Sequence, residues 1–537
     1  MIFSRDIIQQ RHVPKSVLIV LICLIILTFS ACSKEANSVI LAPINSVPNG
    51  YDPQIAVGTD LETIINNIFE GLVRIDENGN IQKGVATDWT ISSDGLTYTF
   101  TLDSNAKWRV PKSATEALGE DFIKTLDTRV TAADFAFGIN RAIDSSTGAP
   151  YAYTLSAVDS AFAKNDTTLI IKLKRPYEGL LTTLATPICM PCNEKFFEAT
   201  AGRYGLSTSL ILSNGPFYLG LFDADTGTVT LKKNEIYKGS FTPIQDTVRL
   251  YVDSEDSKKN FNIKTISYDE SKSINEKDWT VKQYKNAVKM LCFNCDNELF
   301  SVYRSIRLAF AHSTDIDSLV GKGVSKAEGV IPSSCLLQAG SSYRANANIL
   351  KGPEYDIKKA AELYDKIVAA NNKKEIPDDL SLDLKLVCLE TDVDDIKAVL
   401  QGWQKTFGMA LTLTIEPYAT QEELDKVVKQ GEYDIAYTTI ITSDFLASEF
   451  LKNFESDSDN NPIRLKNEEF DKLLKLTYTA TTKEDSVEAL INCEQFLLDN
   501  AYVIPTISKD SYVATDITGR EVTLRPSGTV MAFYKAK

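Results

Sequence analysis

Cys189-Met190-Pro191-Cys192 and Cys292-Phe293-Asn294-Cys295 are the two places where residue type and spacing could hold a metal. Two thiolates separated by two residues supply half of a tetrahedral zinc site. Joined by the fold, the two pairs would form a four-thiolate centre; unjoined, they are plain thiols or local disulfides, and the sequence favours that reading. Elsewhere reactive chemistry is sparse. The chain has two histidines, His12 and His312, and His312 lies among Leu308, Ala309 and Phe310 on a predicted helix, a structural setting. No Gly-x-Ser-x-Gly, His-Glu-x-x-His or Walker loop occurs, so hydrolase and nucleotide-site readings find no motif to rest on. Binding without catalysis is the expectation, with no catalytic residue, resident metal or cofactor.

The sharpest binding candidate is Ile441-Thr442-Ser443-Asp444, at the end of an apolar run that begins at Tyr433. In open α/β sheets, ligands gather outside the carboxyl ends of strands. A carboxylate there can accept a charge-assisted bond from a ligand ammonium, or it can cap the helix that Phe445 to Leu451 would begin.

The surrounding elements suit that placement. Leu382, Leu384, Leu386 and Cys388 alternate as a strand, and Val393, Ile396, Val399, Leu400, Trp403 and Phe407 mark one face of a helix that stops at Gly408. Next come a strand at Leu411-Leu413-Ile415, a helix opened by the capping box of Thr420 and Glu423, and the strand Tyr433 to Ile441. Strand, helix, strand, helix, strand predicts a parallel α/β lobe with right-handed crossovers. The earlier half reads as β-rich: Val39 to Ile44, Leu72 to Ile75, Asp88 to Ile91, Leu96 to Leu102 and Leu169 to Leu173 are strands. Helices follow Leu61 to Phe69 and the Thr131/Asp134 capping box.

Lys15 to Cys32 sets the compartment. Arg5, Arg11 and Lys15 precede an uncharged apolar run from Val17 to Phe29, then Ser30, Ala31 and Cys32. The run is shorter than the ~20 residues a bilayer span requires, and it has the anatomy of a removable export signal. Phe29-Ser30-Ala31-Cys32 resembles the lipobox of bacterial lipoproteins, which implies lipid attachment at Cys32. Nine cysteines less Cys23 and Cys32 leave an odd set, so no full disulfide framework is forced. The chain of 537 residues carries net charge −15, and without residues 1–31 it has 54 bases against 71 acids, or −17. That balance repels phosphate backbones, and nucleic acid is not an expected partner.

The string IFEGLVRIDENGNIQKGVATDWTISSDGLTYTFTLDSNAKW, followed by VTAADFAFGINRAID, resembles extracellular solute-binding protein family 5, the oligopeptide-binding subunits of ABC importers. Further matches are the stretch Ser145 to Tyr153, the strand Leu169 to Leu173 with Lys174-Arg175-Pro176-Tyr177, and Ser213-Asn214-Gly215-Pro216-Phe217-Tyr218-Leu219. The resemblance implies an α/β, periplasmic-binding-protein-like fold of the class II type, with two lobes around a cleft and an extra β-rich subdomain. The expected division is a signal over 1–31 and a tether over 32–37. Lobe I takes 38–69, 194–291 and 503–537, the β-rich subdomain 70–193 with a surface insertion at 111–129, and lobe II 292–502.

The resemblance further implies a monomer that closes about a hinge on a peptide or peptide-like solute and delivers it to permease and ATPase subunits. Asp444 would pair with the ligand amine, while Ile441, Thr442 and Ser443 and the facing loop Val57-Gly58-Thr59 would offer backbone hydrogen bonds. Departures are the absence of a tryptophan before Asp444 and of an Asp-Pro after it. A peptide or pheromone sensor without transport, and a binder of a non-peptide solute such as an oligosaccharide, stand as alternatives on the same fold.

Overall fold

Val39–Ile44 alternates half-buried and buried side chains, the pattern of a strand with one face on a core. In the computed structural model it pairs in parallel with Thr247–Val252, which runs antiparallel to Val229–Lys233, itself paired with Phe217–Leu219. The structure describes residues 39–536 apart from 178, 221, 224–225, 253–260, 322–323, 337–342, 344–351, 373–381, 442–446, 481, 517–521 and 526–529. The signal 1–31, the tether 32–37 and Cys32 fall outside the described residues.

A second antiparallel sheet runs in the order Ala86–Ile91, Thr97–Leu102, Thr168–Leu173, Val158–Asn165. Its apolar face, with Phe100 and Ile171, joins Ile64, Ile68 and Phe69 of the helix Thr59–Ile68 and its end, and Phe135 of the helix Ala132–Ile143, in one buried core. The β-rich part is therefore packed into lobe I through shared side chains. The insertion is a surface excursion of two short helices, Ala114–Leu118 and Glu120–Thr125, joined at Gly119 in a conformation (φ +91°) that favours glycine. It leaves and returns at neighbouring points, since the Trp108 amide donates to the Thr128 carbonyl at 2.7 Å.

The second lobe is built on a six-stranded sheet in the order Val324–Lys326, Val503–Lys509, Ala287–Phe293, Ile435–Ile441, Leu382–Leu389, Leu411–Tyr418. The strands read as parallel from sequence are parallel, Leu382–Leu389 lying between the other two. Every residue of Ala287–Phe293 is buried, as expected of a strand covered on both faces. One face packs Trp403, Phe310 and Phe407, and the other Phe450, Phe454 and Phe470.

Two strands depart from the expected division. Val503–Lys509 and residues 287–291 of the strand Ala287–Phe293, expected in lobe I, hydrogen-bond to each other inside the lobe II sheet. Breaks at 291/292 and 502/503 would split the strand Ala287–Phe293 and part it from its neighbour Ile435–Ile441. The pair that belongs with the first half lies just outside it: Trp279–Tyr284 pairs with Ser511–Asp516, with Tyr284 opposite Ser511. The chain thus crosses between the halves twice, side by side, at Lys285-Asn286 and at Asp510, where Ser511 Oγ donates to Asn286 Oδ1 at 2.8 Å.

Candidate functional site

A small crevice of about 20 Å³ opens where the first half of the molecule meets lobe II. Its first wall begins at Asp52, whose carboxylate accepts from the Gln54 amide and caps the turn Pro53–Ile55. Asp52 also receives Arg141 Nη1 at 2.8 Å and a second contact from Nη2, and Nη1 donates to Gln54 Oε1 at 2.8 Å. The Arg141 guanidinium lies over the Phe197 ring, 4.4 Å from its centroid. Gln54 Nε2 donates to the Met190 carbonyl at 2.9 Å, which ties the turn to Pro187–Cys189. A methyl group on Gly138 would sit 2.5 Å from that same carbonyl, so only glycine allows the helix Ala132–Ile143 so close. Three segments far apart in sequence are thereby held in one arrangement, with Ala56, Pro187 and Ile188 at the crevice surface.

Polar side chains complete this wall: Glu62 from the helix Thr59–Ile68, Tyr151 and Thr154 around the turn Ala152–Leu155, and Thr183 and Thr186. Thr186 Oγ1 donates to the Thr183 carbonyl at 2.6 Å, and Thr183 Oγ1 lies 3.3 Å from the Tyr177 hydroxyl. These bonds leave the segment rigid before any ligand arrives.

Lobe II contributes Glu449. The short helix Ala447–Leu451 buries Ala447, Phe450 and Leu451 against its own lobe, a spacing that turns Glu449 away from that core and into the crevice. Its Oε1 is sealed from solvent with no hydrogen-bond partner among the described residues. Burial pushes the carboxyl up to about 7, with the nearby Lys452 charge opposing and Glu455 adding. Around the crevice the halves touch directly. The Lys452 ammonium lies 3.2 Å from the Tyr153 ring centroid, Tyr153 meets Tyr478 edge-on at 5.7 Å, and Arg175 donates to the carbonyls of Thr479 (2.7 Å) and Tyr478 (3.1 Å).

The residues expected from sequence fare unequally. Thr442, Ser443 and Asp444 lie outside the described residues, and Ile441 ends a strand whose backbone pairs with Ala287. Val57, Gly58 and Thr59 line a separate open groove of about 590 Å³ with Asn49, Ile55 and Leu206. Val57 is 54% exposed there, while Ala56, one residue earlier, is buried at the crevice. Gly58 has φ +90° and precedes the helix as its cap, and Asp60 holds the loop by accepting from the amides of Asn45 and Ser46 at 2.9 Å. Of the crevice residues, Tyr151 falls in a stretch the resemblance marked; Glu62, Thr183 and Glu449 had no local signal.

The cysteine pairs are free thiols in different cores, Cys189 and Cys192 in the first half and Cys292 in lobe II with Cys295 beside it. Burial pushes Cys189, Cys192 and Cys295 up to about 12, so they stand as protonated thiols at neutral pH. Among the described residues no cluster of three or more His, Cys, Asp or Glu could hold a metal ion. His312 is buried, and its Nδ1 donates to the Glu354 carbonyl at 2.6 Å, a structural bond.

Comparison with known proteins gives the following. The model of bacterial extracellular solute-binding proteins, family 5 (Middle), matches residues 80–462. The chain is 26% identical over 498 residues to the oligopeptide-binding protein OppA of Bacillus subtilis, covering 86% of each chain. It is 23% identical over 489 residues to the dipeptide-binding protein DppE of the same organism, covering 85% of this chain and 84% of that one. Among solved structures, a dipeptide-binding protein from Pseudoalteromonas in complex with Met-Leu superposes with TM-score 0.69 at 16% identity, covering 93% of this chain and all of the other. The substrate-binding domain of an oligopeptide ABC transporter from Bacillus anthracis gives 0.64 at 21% identity, with 93% and 98% covered.

Proposed function

The chain belongs to family 5 of the bacterial extracellular solute-binding proteins, and from that premise we propose that it is the receptor subunit of an ABC importer, binding peptides or peptide-like solutes between its halves. The observation that carries this reading is the crevice itself, which is walled by side chains from both halves and so is completed only when they meet. The two adjacent crossings at Lys285-Asn286 and Asp510 suit a hinge, because a few residues between paired strands absorb the rotation while each sheet stays intact. A ligand that touches both walls binds the closed form better than the open one, which is the condition for it to drive closure. The solute leaves chemically unchanged, and the closed monomer is the form that permease and ATPase subunits respond to.

Peptides suit such a site because main-chain hydrogen bonds hold an extended ligand without reading its sequence. Asp444, Ser443, Thr442 and Ile441 remain the proposed partners of the ligand terminus and backbone. Titration calorimetry of the purified protein against a mixed peptide pool tests the reading. Saturable heat is the expected result; no peptide heat together with saturation by sugars overturns it.

We also place the protein outside the cytoplasm, tethered through acyl chains on Cys32. Two chains at about 0.8 kcal/mol per buried CH₂ hold a protein stably on a bilayer. Intact mass of the mature protein should start at Cys32 and carry lipid; a mature chain that begins elsewhere or lacks lipid removes the anchor.

A further inference from the structure

Val39, where the described residues begin, lies seven peptide steps after Cys32. Seven fully extended steps reach at most about 25 Å, so an acylated Cys32 holds this point of the fold close to the bilayer. The strand Val39–Ile44 sits at one side of the sheet completed by Thr247–Val252, Val229–Lys233 and Phe217–Leu219. Ile40, Val248 and Leu231 point into the core shared with the helix Thr59–Ile68. The alternate residues therefore face outward. They stand in register as two rows, Leu41, Arg249 and Thr230 in one, and Thr247, Lys232 and Tyr218 in the other.

Arg249 and Lys232 are exposed, and no carboxylate pairs with either among the described residues. Strands about 4.8 Å apart that rise about 3.4 Å per residue put both backbones within about 10 Å of Val39. Two further cations flank them: Arg109, 4.7 Å from the Tyr218 ring centroid and 3.9 Å from Glu235, and Lys233, paired with Asp246 at 3.0 Å. Asp516, past the strand Val39–Ile44, accepts from Asn262 Nδ2 at 3.0 Å, and Asn262 Oδ1 in turn accepts from the Leu41 amide. The outward face thus carries an excess of positive charge, although the chain without residues 1–31 has 54 bases against 71 acids.

We propose that this face rests on the anionic phospholipid headgroups of the membrane that carries the anchor, with Lys232 and Arg249 as its charge contacts. The proposal rests on the lipid-tether reading and goes beyond it: the tether fixes a distance, whereas the face fixes an orientation. A strongly acidic chain is repelled as a whole by an anionic surface. Among the orientations that the tether permits, the one that presents this face meets attraction instead, because cations within a Debye length of about 8 Å feel the leaflet's negative potential. A receptor held in one attitude also presents the same surface each time to a permease in the same membrane.

The experiment reconstitutes the lipid-bearing mature protein on vesicles of phosphatidylcholine alone and of phosphatidylcholine with phosphatidylglycerol. Exposed lysines are then acetylated briefly and the modification is read by mass spectrometry. Labelling of Lys232 should fall about threefold or more on the anionic vesicles relative to the neutral ones, and recover at about 1 M salt, where the Debye length is near 3 Å. Lys397 and Lys472, exposed on helices of lobe II, should label equally on both. Arg249→Glu, at an exposed position that leaves Lys232 as reporter, should abolish most of the protection. Equal labelling of Lys232 on the two vesicles overturns the inference, whether the face then meets water or a protein partner, and leaves the anchor intact. Protection unchanged by Arg249→Glu or by salt overturns it too, because the tether alone would then account for it. A protein that fails to float with either vesicle removes the anchor, and this inference with it.

Discussion

Asp134, buried, and Glu449, half-buried with one oxygen sealed, are two acids in different parts of the molecule, and the fold treats them in opposite ways. Asp134 is 5% exposed at the start of the helix Ala132–Ile143. Its carboxylate accepts from the Thr131 amide (2.7 Å), the Thr131 hydroxyl (3.0 Å) and the Asn193 amide nitrogen (3.0 Å). Glu449 has one oxygen sealed with no donor among the described residues. Burial raises both carboxyls, to about 6 and about 7, so desolvation alone does not separate them. The separation lies in the partners: one acid is tied into the scaffold by several donors, while one oxygen of the other has none among the described residues.

Stability measurements should break or confirm this contrast most strongly. Asp134→Ala removes a helix cap and strands several buried donors, so urea denaturation should show a loss of about 2–4 kcal/mol. Glu449→Gln removes a charge that the fold does not satisfy, and the same measurement should show no loss, or a gain. Equal losses at the two sites would erase the distinction.

Arg175 sharpens the contrast at the junction itself. Its guanidinium donates to the carbonyls of Tyr478 and Thr479 across the halves, and Arg175→Ala should weaken closure by about 1–2 kcal/mol. The expected readout is a ligand off-rate several-fold faster with little change in the urea midpoint of either half.

pH gives a smaller and more specific effect. For Glu449 the folded value of about 7 lies above the ordinary 4.5 of the free side chain. The native state therefore holds the proton more tightly, and stability contributed by this group is complete below about 4.5 and lost as pH rises to about 7. Asp134 acts with the same sign over a lower window ending near 6. Glu449→Gln should flatten the stability profile between pH 6 and 7 and make it shallower between 4.5 and 6, where the Asp134 contribution remains; an unchanged slope above pH 6 would contradict the assignment. The smallest change belongs to the insertion: the exposed pair Lys124–Glu120, at 2.7 Å, should contribute under about 0.5 kcal/mol when Lys124→Ala is measured by denaturation.

How legible each acid was in sequence follows the same line. Thr131 and Asp134 are three residues apart, and a local capping pattern announces itself in the string; so do Thr420 and Glu423, Gly408 as a helix stop, and the strand-helix alternation from Leu382 to Ile441. The Glu449 environment depends on Tyr151, Thr154 and Ile188, hundreds of residues away, and no local pattern encodes that meeting. Val57 illustrates a finer point. Successive side chains of an extended segment point to opposite sides, so a one-residue step puts Ala56 at the crevice and Val57 on the open groove. The lobe boundaries slipped for a related reason: Ala287–Phe293 and Val503–Lys509 look like any apolar strands, and only their mutual pairing shows which sheet they enter.

Hydrogen exchange of the purified protein with and without a bound peptide tests the location and the closure together. Slowed exchange is expected at once in both walls, over 53–62, 151–155 and 183–188 on one side and 447–452 on the other. Protection confined to the open groove around 46–61, or to a single half, would contradict a ligand held between two closing lobes.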